Sequence, residues 1–203
     1  MQAVTKRRVV VDEEQRQRAE LYRVLGALLA SSPDAAALDT LRQWEVDADA
    51  SPLAQSLAEL VSLAAQSDTQ ELAAVFTELF IGMGRGELVP FGSWYASGFL
   101  MDKPLARLRQ DLQQLGFARE EGVTEPEDHA AALCDVMQQL IDGEEPAELD
   151  VQRRFFVNHL LPWLPRFFAD LQRAESADAF YRAVGRFGEQ LIKEEKQYLV
   201  SVS

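Results

Sequence analysis

The chain has 203 residues, a formal net charge of -13 and a pI of about 4.6. This composition argues against a nucleic-acid partner, since phosphate binding requires a concentrated basic face. The single cysteine, Cys134, is typical of a reducing compartment. No apolar run approaches the roughly 20 residues that span a bilayer, and the apolar stretch after Lys6-Arg7-Arg8 is too short for a secretory signal. We therefore expect a cytoplasmic protein with no stable membrane insertion.

Helical periodicity dominates the first eighty residues. Leucines recur on one face of a predicted helix from Asp12 to Ala30. Ser32-Pro33 and Ser51-Pro52 each combine an N-cap residue with a proline suited to the first helical position. These signals predict two further helices, the first of which reaches Trp44. A fourth helix is predicted from about Thr69 to Phe80.

The helical pattern stops between residues 81 and 102. Five of the eleven glycines lie between Gly82 and Gly98, together with Pro90. The composition predicts a long loop, and its aromatic residues argue against disorder. Loops of this length in compact domains are often functional.

Helical signals return in the second half of the chain. Starts are predicted at Lys103-Pro104, Glu125-Pro126, Pro146 and Ser176, with stops at Gly116 and Gly143, a break across 161–165 and an end near Ile192. Together the patterns predict an all-α, single-domain helical bundle of about eight to ten helices over residues 1–203. Residues 1–11 are predicted to be disordered, and the acidic segment 142–150 is the candidate seam within the domain.

The segment Glu125-Pro126-Glu127-Asp128-His129 combines acidic residues with a histidine at a predicted helix start. Helix capping and the favourable effect of negative charge in a first turn account for the first four residues. They leave His129 unexplained. A histidine beside carboxylates is protonated more easily, or is held in one tautomer by a hydrogen bond.

The sequence gives little support to catalysis or to metal binding. The chain has two histidines and one cysteine, and none of them lies at ligand spacing, so no metal or other cofactor is predicted. His159 is interpreted as a hydrogen-bonded core residue. The segment Gly82–Gly86 lacks the ending of a phosphate-binding loop. An acid–base pair of Asp128 and His129 in a small hydrolase stays open as an alternative.

Apolar and aromatic residues before and within the loop provide a second candidate surface. Phe76, Leu79 and Phe80 lie on the predicted fourth helix, where burial in the core is the usual outcome for phenylalanine. Phe91, Trp94 and Tyr95 lie on the loop. Aromatic rings over a helix pair would form a groove for an apolar peptide, and the acidic helix start would receive basic residues of the same peptide.

Three motifs along the chain resemble a known family. They are Leu79-Phe80-x-Gly82, then Pro90-x-x-Ser93-x-Tyr95, then Glu125-Pro126-x-Asp128-His129. This order closely resembles the signature of the TorD/DmsD family of redox-enzyme maturation chaperones. Later segments, including His159-Leu-x-Pro162-Trp163, are similar to the same family.

The resemblance implies an all-helical chaperone without enzymatic activity. Such a chaperone binds the twin-arginine signal peptide, or the apo form, of a molybdenum-cofactor oxidoreductase subunit and delays its export until the cofactor is inserted. Formate dehydrogenase is the favoured client, ahead of dimethyl sulfoxide and trimethylamine N-oxide reductases. The chain is expected to be a monomer or a domain-swapped homodimer. The alternative within the same group is an adaptor that docks only the mature part of a molybdoenzyme, as in nitrate reductase maturation.

The site hypothesis joins both surfaces in one peptide-binding groove. Its polar end consists of Glu125, Pro126, Glu127, Asp128 and His129. Its apolar end consists of Phe76, Leu79, Phe80, Phe91, Ser93, Trp94 and Tyr95. We expect replacement of Asp128 and His129 by alanine to weaken client binding and to leave helix content nearly intact.

Overall fold

The computed structural model describes residues 11–83, 85–118 and 126–200. These residues form ten α-helices, and α4 and α8 each continue into a π-helical turn, over Thr77–Ile81 and Phe156–Leu160 respectively. In chain order the α-helices are α1 (Glu13–Ala30), α2 (Ala35–Arg42), α3 (Pro52–Ala64), α4 (Thr69–Phe76), α5 (Gly92–Ser97), α6 (Lys103–Gln114), α7 (Ala130–Asp142), α8 (Leu149–Phe155), α9 (Leu164–Arg173) and α10 (Ala179–Val200). The predicted all-α fold is confirmed.

Short polar side chains begin most of the N-terminal helices by accepting hydrogen bonds from backbone N–H groups that have no partner within the helix. Ser51 caps α3 in this way, with Pro52 as the first helical residue, as predicted. The predicted start at Ser32-Pro33 is wrong. The carboxylate of Asp34 accepts from the N–H of Ala37, so α2 begins after Pro33 and ends at Arg42.

Three helix pairs make the most extensive contacts: α1 with α7, α10 with α9, and α10 with α3. Glycine permits the close approach in two of them. A Cβ atom on Gly26 of α1 would lie 3.2 Å from the Cβ atom of Cys134 on α7. A Cβ atom on Gly188 of α10 would lie 2.3 Å from the ring of Phe168 on α9.

A buried ion pair connects the first and last helices. The guanidinium of Arg18 donates to both carboxylate oxygens of Glu195, at 3.0 Å and 2.5 Å. It also donates to the side-chain oxygen of Gln152 on α8, at 3.3 Å. Burial raises the pKa of the Glu195 carboxyl, and its hydrogen bonds with Arg18 oppose that rise. The hydrogen bonds satisfy charges that would otherwise be costly to bury.

The expectation of a loop throughout 81–102 is partly wrong, because α5 lies within it. This helix is short and ends at Gly98, which adopts a left-handed conformation with φ of +78°. Gly82 marks the end of the preceding π-helical turn and also has a positive φ, of +58°. Gly98 therefore ends a short helix that carries Trp94 and Tyr95, and Phe91 is its N-cap residue.

The predicted starts of α7 and α8 are too early. His129, and not Glu125, is the N-cap residue of α7, and Glu125 itself lies outside the described residues. The carbonyl of Pro126 accepts from the N–H of His129 in a turn before the helix. Likewise, Glu148 precedes α8, so that helix does not begin at Pro146.

The predicted break at 161–165 is confirmed. The π-helical turn of α8 ends at Leu160, and α9 begins at Leu164. The last helix starts three residues after the predicted Ser176 and extends beyond Ile192 to Val200. Within the three described ranges, no helix has both the length and the apolar character needed to cross a bilayer.

Candidate functional site

The turn before α7 crosses the start of α5, and backbone hydrogen bonds hold the two segments together. Phe91 and His129 form an isolated antiparallel bridge. The N–H of Gly92 donates to the carbonyl of Asp128 at 2.9 Å. The acidic motif and the aromatic segment are therefore adjacent, as the sequence analysis expected.

Asp128 is 3% exposed and acts as a tie between these segments. Its Oδ2 atom accepts from the backbone N–H of Ser93 at 2.6 Å. Its Oδ1 atom has no hydrogen-bond partner in the described part of the chain. Ser93 is fully buried, and its Oγ atom accepts from the N–H of Met101 at 3.2 Å. These contacts give Asp128 and Ser93 a structural role.

His129 is 8% exposed and caps α7. Its Nδ1 atom accepts from the N–H of Ala131 at 3.1 Å. A nitrogen that accepts carries no proton, so the neutral ring has its proton on Nε2. The ring packs edge-on against Phe91, with centroids 4.9 Å apart. The capping bond explains the histidine that the sequence analysis left unexplained.

Glu127 is paired with a basic side chain of this same chain. Its carboxylate accepts from Nε and Nη2 of Arg109 on α6, with the shortest distance 2.9 Å. This hydrogen bonding raises the pKa of the Arg109 guanidinium. A client arginine would have to displace Arg109 to reach this carboxylate.

Of the three residues expected before the loop at the apolar end of a peptide groove, the structure buries Phe76 and Leu79 and leaves Phe80 partly buried. Leu79 is 0% exposed and Phe76 is 8% exposed. Phe80 packs against Phe76, with ring centroids 5.0 Å apart, and against Tyr181 of α10, at 6.1 Å. The rings of Phe76 and Phe80 lie against Tyr181 of α10, and this contact removes apolar surface from water. Phe76 and Leu79 belong to the core, and Phe80 packs against it.

The residues of α5 also have partners within the chain. Trp94 is half-buried beneath the guanidinium of Arg85, which lies 4.9 Å from the ring centroid. The hydroxyl of Tyr95 donates to Asp170 at 3.1 Å, and its ring lies 5.4 Å from that of Trp163. Burial, and then the carboxylate of Asp170, raise the pKa of Tyr95.

A groove of about 940 Å³ lies between α1, α6 and α7, and we call it the α1–α7 groove. Small residues of α1 and α7 line much of it, namely Gly26, Ala27, Ala30, Ala131 and Ala132. Charged side chains also line it, namely Arg23, Arg109, Glu127 and Asp135. Pro126, Glu127 and His129 contribute to this groove, whereas none of the predicted apolar residues does.

A second cavity of about 340 Å³ is lined by Asp128 of the turn before α7. We call it the polar pocket. Its charged and polar lining residues are Arg107, Asp111, Asp128, Asn158 and His159, and Trp163 forms an aromatic wall. The Nε2 atom of His159 lies 2.6 Å from Oδ2 of Asp111. His159 is therefore hydrogen-bonded and mostly buried, as predicted.

Sequence reasoning missed Asp111 as a site residue, because it lies among several charged residues of an amphipathic helix and carries no distinctive signal. Within the described ranges no group of three His, Cys, Asp or Glu residues is arranged to hold a metal ion. Cys134 is fully buried beneath α1, and burial raises the pKa of its thiol to about 12. It is therefore a core residue and not a nucleophile.

Comparison with known proteins agrees with this architecture. A family described as the nitrate reductase delta subunit matches residues 46–169. The chaperone protein TorD of one Vibrio cholerae O1 strain (M66-2) is 35% identical over 140 residues, so the match spans 64% of this chain and 62% of that relative. TorD from a second strain (ATCC 39541) is 33% identical over 168 residues, 75% of each chain. TorD of Vibrio parahaemolyticus is 28% identical over 204 residues, 90% of this chain and 94% of that protein.

A crystal structure titled as a proposed redox enzyme maturation protein from Archaeoglobus fulgidus has the same fold. Its TM-score is 0.56 at 17% identity, and the match covers 93% of this chain and 99% of that one. Fold, motifs and relatives together are those of the helical redox-enzyme maturation chaperones. The chain belongs to the nitrate reductase delta subunit family and, within it, to the TorD/DmsD redox-enzyme maturation chaperones, as its motifs predicted.

Proposed function

We propose that this chain is a cytoplasmic chaperone that binds the twin-arginine leader of a molybdenum-cofactor oxidoreductase subunit, together with its apo form, and delays export until the cofactor is inserted. The observation that carries the proposal is the α1–α7 groove beside the Pro126–His129 turn, in a chain whose curated relatives are chaperones. The groove replaces the aromatic cleft that the sequence suggested.

The shape and lining of the α1–α7 groove suit an apolar helix. The small side chains of Ala27, Ala30 and Ala132 leave room for the larger side chains of a bound peptide. Burying two or three leucine side chains contributes about 1.5–3 kcal/mol each, before the cost of ordering the peptide. Recognition of this kind is helix-in-groove binding, in which one apolar face of the ligand provides most of the affinity.

Charge contributes mainly to the rate of encounter. The net charge of -13 attracts a basic leader over long distances. Because Glu127 is already paired with Arg109, a direct contact between Glu127 and the leader requires an exchange of partners. We therefore expect the apolar contact to determine most of the dissociation rate.

A titration with a labelled leader peptide tests the proposal. The probe is a twin-arginine leader with its basic pair ahead of its apolar stretch, and the control peptide has the same composition in scrambled order. We expect micromolar or tighter binding of the leader and at least tenfold weaker binding of the scrambled peptide, a difference of about 1.4 kcal/mol. Equal binding of the two peptides would contradict leader recognition.

The adaptor that docks only the mature subunit is a second candidate, and the match of residues 46–169 to the nitrate reductase delta subunit family favours it. The two candidates differ in the ligand that binds. An adaptor would bind the apo-subunit lacking its leader with the affinity of the complete apo-subunit and would not bind the isolated leader. A leader-binding chaperone would lose most of its affinity when the leader is removed.

The client and the assembly state also remain proposals. We propose formate dehydrogenase as the client, and a panel of leaders from formate dehydrogenase, dimethyl sulfoxide reductase and trimethylamine N-oxide reductase tests that choice directly. The strongest binding to a different leader would replace it. Light scattering with and without the leader distinguishes a monomer from a domain-swapped homodimer, since the mass doubles in the second case.

A further inference from the structure

The polar pocket contains a buried carboxylate oxygen for which the fold provides no donor. Oδ2 of Asp128 is satisfied by the Ser93 N–H, but Oδ1 has no partner among the described residues. Leaving a buried acceptor without a hydrogen bond is unfavourable, and more so for a charged group. A ligand that brings N–H donors to the floor of this pocket would remove that cost.

A second carboxylate lines the same pocket. Asp111 is half-buried, and its Oδ2 atom lies 2.6 Å from Nε2 of His159. The Asp111 side chain is 40% exposed, so its carboxylate is accessible from outside the chain. Asp111 comes from α6 and Asp128 from the turn before α7, so the two carboxylates approach the pocket from different elements.

Buried apolar side chains form part of the remaining wall of the pocket. Leu108, Leu133 and Trp163 are buried and line it, and the indole N–H of Trp163 donates to the carbonyl of His159 at 2.8 Å. The exposed residues Ala96 and Asn158 lie at the mouth. An apolar wall followed by carboxylates matches a side chain with a hydrocarbon stem and a cationic head.

We propose that the polar pocket takes one guanidinium group, the side chain of a leader arginine. This inference rests on the proposed function and specifies which residues of the leader and the chaperone meet. Guanidinium presents five N–H donors in a planar fork, so it can donate to more than one carboxylate at once, and Asp128 and Asp111 both line this pocket. An ammonium group of similar charge lacks this geometry, and the pocket therefore selects arginine over lysine.

Arg107 is the cationic side chain of the pocket lining, and its positive charge opposes the entry of a second cation. It is exposed at the mouth and precedes Asp111 by four residues on α6, the spacing at which side chains of a helix meet. A leader arginine that enters the pocket is repelled by the positive charge of Arg107. Removal of that charge by Arg107→Gln is therefore expected to strengthen leader binding.

Peptide variants test the proposal in the intact chain. One leader retains both arginines and another has both replaced by lysine, and each is titrated against the wild type, Asp111→Asn and the charge-matched control Asp39→Asn on α2. The wild type and Asp39→Asn are expected to prefer the arginine leader by about tenfold. Asp111→Asn is expected to reduce that preference to about twofold, while Arg107→Gln increases arginine-leader affinity several-fold. An unchanged preference in Asp111→Asn overturns the pocket assignment.

A small probe separates this inference from the proposed function. Ethylguanidinium and ethylammonium are titrated separately while the indole N–H of Trp163 is followed by NMR. A saturable shift with ethylguanidinium alone, lost in Asp111→Asn, supports the pocket even if no leader peptide binds, in which case only the proposed function fails. The absence of any shift, or equal shifts with both cations, overturns the pocket, while leader binding in the peptide titration would still support the chaperone.

Discussion

The carboxylate of Asp128 and the backbone N–H of Ser93 lie 2.6 Å apart, although the two residues are 35 positions apart in the sequence. This hydrogen bond joins the turn before α7 to the start of α5. It brings two of the family motifs together and places Asp128 at the floor of the polar pocket. The acidic motif therefore organises the site as well as lining it.

Replacement of Asp128 by alanine is expected to destabilise the fold. The Ser93 N–H would lose a charged acceptor in a buried position, at a cost of about 1.5–3 kcal/mol. Asparagine retains an oxygen that can accept from this N–H, so Asp128→Asn should recover a large part of the loss. Urea denaturation measures the stability of both variants. An unchanged unfolding midpoint for Asp128→Ala would show that the hydrogen bond between Asp128 and Ser93 does not stabilise the fold.

This expectation revises the one drawn from sequence, in which the double replacement of Asp128 and His129 left helix content nearly intact. Both side chains are buried and hydrogen-bonded to backbone N–H groups. Loss of client binding in that double variant would not distinguish a damaged fold from a damaged site. Asp128→Asn is the more informative substitution.

The pair formed by Arg18 and Glu195 is expected to be a large single contribution to stability. Glu195→Gln leaves a buried guanidinium without its counter-charge, which costs about 3–5 kcal/mol in comparable buried pairs. Its matched control is Glu59→Gln, which breaks the exposed pair with Arg186 between α3 and α10. Exposed pairs contribute about 0–1 kcal/mol. Similar losses for the two variants, measured by chemical denaturation, would refute the distinction.

The sequence predicted the elements whose signals are local. Ser51-Pro52 sets the start of α3, and Gly116 and Gly143 follow α6 and α7 as expected from helix-stop residues. The break near Pro162 follows from the missing amide donor of proline. These features depend on a few neighbouring residues, so a pattern within one segment was sufficient.

The errors at the candidate site concern residues whose partners are distant in sequence. The sequence places Asp128 in the first turn of a helix. In the structure its carboxylate accepts a hydrogen bond from the backbone N–H of Ser93, and His129 is the N-cap residue of α7. Phe76 was assigned to a groove, although its side chain is buried and its ring lies 6.1 Å from that of Tyr181 on α10. The polar pocket needs Asp111 of α6 beside His159 of the second π-helical turn, and no periodicity in either segment reports that contact.

Glu87 is expected to give the fold a pH-dependent component. Its carboxylate accepts from the backbone N–H groups of Glu175 and Ser176, at 2.7 and 2.9 Å. Slight burial acts to raise its pKa, but these two donors prevail and lower it. Its stabilisation is therefore complete above the unfolded-state pKa of about 4.3 and is lost as pH falls through the lower folded-state value.

The test is the difference in unfolding free energy between the wild type and Glu87→Gln. Because the group is exposed, we expect a difference of about 1 kcal/mol or less at pH 7, diminishing toward zero as the pH falls below about 4. Urea denaturation at a series of pH values measures it. A difference that grows on acidification would have the wrong sign for a lowered pKa.

Leader binding is expected to weaken as ionic strength rises. Attraction between the basic leader and the acidic chain is screened over about 10 Å at 0.1 M salt and over about 3 Å at 1 M. The association rate should fall more than the dissociation rate rises, because long-range charge acts mainly on encounter. Stopped-flow mixing with labelled leader measures both rates. An affinity independent of salt would show that charge does not contribute to leader binding.

The most direct test of the central claim is to obstruct the α1–α7 groove from an exposed position. Ala27 lies on the exposed side of α1 and lines the groove, so Ala27→Trp fills it at little expense to the core. Ala73 is an equally exposed alanine on α4, away from the groove, and Ala73→Trp is the matched control. Fluorescence anisotropy of a labelled twin-arginine leader should show at least about tenfold weaker binding to Ala27→Trp and unchanged binding to Ala73→Trp. Equal affinity of the two variants would place the leader elsewhere and contradict the account.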